Sequence, residues 1–132
     1  MLKNLTNQKC SKVKRKNSMA VIVITEKPDA LLQKIHKAIE ENTIDTWIID
    51  SDGDFTHIPE QWNCKAWMHL ADTDSNDNKL VFGIVGNKKV QMTKSLYAVY
   101  HGRFSEMLLS HFDTEISEIK ITSKRTKYDF FL

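Results

Sequence analysis

The run Tyr97-Ala-Val-Tyr-His-Gly-Arg-Phe-Ser-Glu-Met-Leu-Leu-Ser-His-Phe112 limits the fold more than any other stretch of this chain. It is the longest segment with a helical period. At about 100° per residue, Leu96, Tyr97, Tyr100, Phe104, Met107 and Leu108 fall on one broad apolar face. Such a face needs a wide surface to bury against. The other apolar runs are mostly short and read as strands, so this helix, predicted over 94–111 with Thr93 at its cap, is expected to cover a sheet.

The strands can be read in order. Met19-Ala-Val-Ile-Val-Ile-Thr25 is a continuous β-branched run suited to a central strand buried on both faces. Pro28, whose missing N–H costs nothing in a first helical turn, opens a second helix with Thr25 or Lys27 near its cap. Leu31, Leu32, Ile35, Ala38 and Ile39 form the core stripe of that helix. Asp-Gly within Ser51-Asp-Gly-Asp54, between apolar runs at 46–50 and 55–58, signals a hairpin. Residues 64–71 alternate, with Cys64, Ala66, Met68 and Leu70 on one face and Lys65, Trp67, His69 and Ala71 on the other. A buried strand over 80–85, a short partner over 88–92 and a final strand over 116–122 follow.

The resulting order, β-α-β-β-β-β-α-β, implies an α+β two-layer sandwich. Its antiparallel sheet has about five or six strands and carries two helices on one face. The order resembles the ferredoxin-like plait with an enlarged central meander. At 132 residues the chain is expected to form one domain over 19–132, preceded by a basic, disordered tail over 1–18 whose origin is a nucleic-acid arm, a contact for an acidic partner or an extension from an upstream start, the last suggested by Met19 opening the first apolar run.

Charge divides the same way. The net charge of +2 conceals six cations and no acid in residues 1–18, leaving thirteen cations against seventeen acids, or −4, in the body. A mildly acidic body argues against a nucleic-acid surface there. The N-terminus has no apolar leader and no run is long enough to span a bilayer, so a cytoplasmic protein without membrane contact is expected. Cys10 and Cys64 form no disulfide framework and read as free thiols, Cys64 as a small hydrophobe on the Met68 face.

Chemistry-bearing residues are sparse. Gly102 costs its helix about 1 kcal/mol relative to alanine and suggests a close approach by a neighbour. His101 and Arg103 flank it on opposite rims of the apolar face, where a cleft formed with His57 or His69 would bind an anion; His111, inside the face, reads as a core histidine. His57 and His69 lie on neighbouring strands, yet there is no His-Glu-x-x-His or Cys-x-x-Cys spacing, so no metal is assigned. Asp50-Ser-Asp-Gly-Asp54 has the look of a calcium loop, but position six is Phe55 and position twelve Gln61, so a hairpin turn is preferred. With no nucleophile elbow and no phosphate loop, no catalytic residue and no cofactor are assigned.

Trp62, in a turn, is either a partner anchor or a ring folded back on Pro59. Trp67, on the sheet face with Lys65 and His69, marks a binding surface if the helices leave that face open. Tyr128, Phe130, Phe131 and Leu132 are expected to dock on the body or on a second subunit. A non-enzymatic protein-interaction module, binding a protein partner or a second copy of itself, is therefore the first expectation. A small-ligand-binding domain or enzyme using His101 and Arg103 is the second, and nucleic-acid binding through residues 1–18 and Lys124, Arg125 and Lys127 the third.

Overall fold

The computed structural model describes residues 10–13, 21–71 and 77–121. Strands β1 (Val21–Ile24), β2 (Trp47–Ile49), β3 (Phe55–His57), β4 (Ala66–Leu70), β5 (Lys79–Gly86) and β6 (Glu118–Ile121) alternate with helices α1 (Pro28–Glu40) and α2 (Lys94–Phe112) in the expected order. They form one six-stranded sheet, β2-β3-β4-β5-β1-β6, antiparallel at every pairing. The β4-β5-β1-β6 portion has the strand arrangement of a plait, and the β2–β3 hairpin widens it, as the sequence order implies. The docking C-terminal aromatics and Lys124, Arg125 and Lys127 lie outside the described residues.

Local chemistry explains each helix. In α1, Pro28 occupies the first turn with Asp29 beside it, favouring the positive end of the dipole, and Lys37 sits in the last turn. Lys27 is the capping residue but makes no side-chain cap bond. Asn42, at φ 63°, ends the helix in the left-handed region, where its N–H donates to the Ile39 carbonyl at 3.2 Å. In α2, the Leu96 N–H donates to Thr93 Oγ1 at 3.0 Å, the N-cap that the sequence places there.

Both helices bury their stripes on the same side of the sheet. Leu31, Ile35 and Ile39 from α1 and Leu96, Tyr100, Phe104, Met107 and Leu108 from α2 share one core with Val21, Val23, Phe55, Ala66, Met68, Phe82 and Ile84. Phe104 sits at its centre, edge-on to Trp47, Phe55 and Phe82 at centroid distances of 5.3, 5.6 and 4.8 Å. Trp67 and His69 alternate with these positions and lie on the opposite face.

Three expectations need correction. The short partner strand over 88–92 does not form; Lys12 instead bridges Asn87, with Val13 N–H donating to Gly86 O and Lys88 N–H to Ser11 O, both at 2.8 Å or less. Cys10 and Cys64 are not free thiols but a disulfide, with Cα atoms 5.8 Å apart. Cys64 belongs to the turn before β4 rather than to its apolar face. Gly102 is exposed, and a Cβ built on it meets nothing within 4 Å, so the helix makes no close approach there.

Candidate functional site

Among the described residues, a polar cluster gathers on the sheet face away from the helices, around a lysine that no local motif marks out. The hairpin between β2 and β3 closes through Asp50 N–H to Asp54 O and Gly53 N–H to Asp50 O, with Gly53 at φ 82° supplying the positive dihedral that this turn needs. Asp50 Oδ1 accepts the backbone N–H groups of Asp52 and Asp54, so the loop turns its carboxylates inward around a common point.

Lys12 fills that point. Its ammonium lies 2.5 Å from Asp50 Oδ2 and 2.9 Å from each of Asp52 Oδ2 and Asp54 Oδ2. It also sits 5.0 Å from the centroid of the Trp67 ring, within reach of a cation–π interaction. Burial disfavours the lysine's charge, but the hydrogen bonds to the three aspartates outweigh it and hold its pKa above the ordinary 10.5.

Asp54, with its side chain 1% exposed, is the buried member. Burial pushes its carboxyl up, yet bonds to His69 and Lys12 outweigh that and hold it below the ordinary 3.8. His69 Nδ1 lies 2.7 Å from Asp54 Oδ1. Register explains the meeting: Phe55 pairs with Met68, so Asp54 falls opposite His69. The same register separates His69 from His57, which lies on the helix side against Trp47 and Tyr100. The two histidines do not converge.

His57 and Arg103 do share a place, a shallow cleft of about 140 Å³ with Thr46, Glu106 and His111. The groups there are already committed. His57 Nδ1 donates to Thr46 O at 3.0 Å, and Arg103 pairs with Glu106 at 3.1 Å. Burial lowers the His57 pKa, with the Arg103 charge adding to the effect and the bond to Thr46 opposing it. His101 is absent from this cleft. It is 3% exposed, its Nδ1 donates to Tyr97 O at 2.6 Å, and its ring stacks on Tyr97 at 3.9 Å. His111 is the exposed one, so the two histidines of α2 exchange the places expected of them.

Trp62 folds back rather than outward. It packs on the core, its N–H donates to Pro59 O at 2.7 Å, and its carbonyl accepts from Tyr100 Oη at 2.6 Å. Trp67 is 2% exposed and lies beneath Lys12. Of the residues singled out from sequence, Trp67 and His69 therefore join one site and His57 and Arg103 another. Lys12 and the three aspartates were missed as a group, because 38 to 42 residues separate the lysine from its partners.

Comparisons with protein-family models, with curated proteins and with solved structures found no match. No helix among the described residues is long and apolar enough to cross a membrane.

Proposed function

We propose that this protein is a non-enzymatic, cytoplasmic protein-interaction module whose recognition site takes a lysine side chain. The observation that carries the reading is the seat of Lys12: three carboxylates and an indole ring around one ammonium. Each part of that seat suits a primary ammonium. Three acceptors match its three donors, and the aromatic face adds attraction that a neutral side chain would not receive. A partner presenting a lysine on an extended basic segment would meet the same groups.

An anionic seat also disfavours nucleic acid at this surface, because phosphate would face three like charges. The enzyme reading draws less support, since His101 is enclosed by Tyr97 and the His57–Arg103 cleft is smaller than the ~300 Å³ at which ligand pockets ordinarily begin.

The test is a titration of full-length Cys10→Ser/Lys12→Met protein, whose segment is neither tethered nor charged at position 12. The probe is a labelled peptide of residues 9–16 carrying Cys10→Ser. Saturable binding that weakens with salt and falls at least ~10-fold in an added Asp52→Asn change is expected. No saturable binding by the folded protein would overturn the reading. If the double variant does not fold, the Cys10→Ser protein and the same peptide carry the test, with tighter binding than to the disulfide-bonded protein expected.

A further inference from the structure

The segment 10–13 is fastened in three ways that differ chemically. Lys12 is held by charge, Val13 and Ser11 by backbone bonds to Gly86 and Lys88, and Cys10 by a covalent bond to Cys64. The charged and covalent fastenings stand two residues apart, so the disulfide fixes Lys12 within reach of its carboxylates. Cys64 itself has φ 62°, a left-handed conformation unusual for a residue with a Cβ. Its carbonyl accepts from Asn87 Nδ2 at 2.7 Å, which ties the same turn to the residue that Lys12 bridges. Strap, turn and seat form one connected unit with a single reducible bond in it.

We propose that the Cys10–Cys64 disulfide is a redox latch on the lysine seat. Oxidised, it keeps the strap down and Lys12 in place; reduced, it leaves the strap held by its ion pairs and backbone bonds alone, so that a lysine from a partner protein can displace Lys12 from the seat. The proposal rests on reading the seat as a lysine receptor. The opening step needs a dithiol reductant. One of its thiolates attacks Cys10 or Cys64 and forms a mixed disulfide; its second thiol then displaces the protein sulfur. Two electrons pass to the protein, which gains two thiols, and the reductant becomes a disulfide. In a reducing compartment such a bond serves regulation more readily than permanent bracing.

Tethering gives the mechanism its leverage. A partner lysine competes poorly with one anchored two residues away. After reduction that nearby covalent anchor is gone, Lys12 keeps only its ion pairs and the backbone bonds of its neighbours, and its effective concentration at the seat falls.

Wild-type protein is examined oxidised and after treatment with dithiothreitol, by amide exchange and by titration with the same peptide. Reduction is expected to speed exchange at the Val13 and Lys88 amides roughly tenfold and to tighten peptide binding by roughly tenfold. Unchanged exchange and unchanged affinity overturn the latch, even if the Cys10→Ser/Lys12→Met protein binds the peptide. Faster exchange with no peptide uptake by either protein overturns the receptor reading, and with it the claim that the latch guards a receptor.

Discussion

His57 shows how one buried group sets a local pH response. Its ring lies 4.7 Å from Trp47 and its Nδ1–H is committed to Thr46 O, so the neutral form suits the site and burial lowers the pKa from 6.5. The unfolded chain then binds a proton more readily than the folded one. The stability contributed by neutral His57 is present above about pH 6.5 and is lost as pH falls through the lower folded value. Chemical denaturation between pH 7 and pH 5 is expected to show that loss, and His57→Gln to flatten the slope. An unchanged slope would assign the response to other groups. Tyr100 shares this neighbourhood; burial pushes its pKa up to about 12, so it stays a neutral hydrogen-bonding phenol throughout that range.

Among the elements, the regular ones were legible and the strap was not. The 3.6-residue periods of α1 and α2, Thr93 at a cap, and Asp-Gly in a hairpin are local signals, and each element formed where those signals lie. The wheel centres the face on the apolar residues alone, which puts His111 inside it and His101 on its rim, whereas the structure buries His101 and exposes His111. Here the Tyr97 carbonyl accepts from His101 Nδ1 and the Tyr97 ring covers it, and the buried face shifts to include it. The strap carries no periodic signal at all. A lysine among five other cations, and two cysteines 54 residues apart, acquire meaning only when the sheet brings Asp54, His69 and Trp67 together. Its docking is expected to have its own pH window. Asp54 is depressed, so its contribution is present above about pH 3.8 and lost as pH falls through its folded value; Lys12 is raised, so its contribution holds below about 10.5 and is lost as pH rises through its folded value. Protection of the Val13 amide in dithiothreitol-treated protein should be greatest between those limits. Protection that rises outside them would contradict the ion-pair account.

At the level of the whole molecule, the disulfide joins the start of the chain to the turn before β4, and so encloses β1, α1, β2 and β3 in one covalent ring. Loop-closure entropy for a ring of that size sets a stabilisation of up to about 4 kcal/mol, less whatever freedom the native strap regains when released. Cys10→Ser should lower the urea midpoint accordingly with the sheet intact by circular dichroism. A fall well beyond that limit would mean that the bond also supports packing in the body.

The ring has a mechanical consequence as well. A molecule drawn out by its two ends carries tension through Cys10 and Cys64 directly, and the chain between them, a sequence separation of 54, bears none of it. Oxidised protein should therefore unravel to a contour about 190 Å shorter than reduced protein, at roughly 3.5 Å per residue. Optical-tweezer records would register that hidden length as a step that a reducing buffer restores.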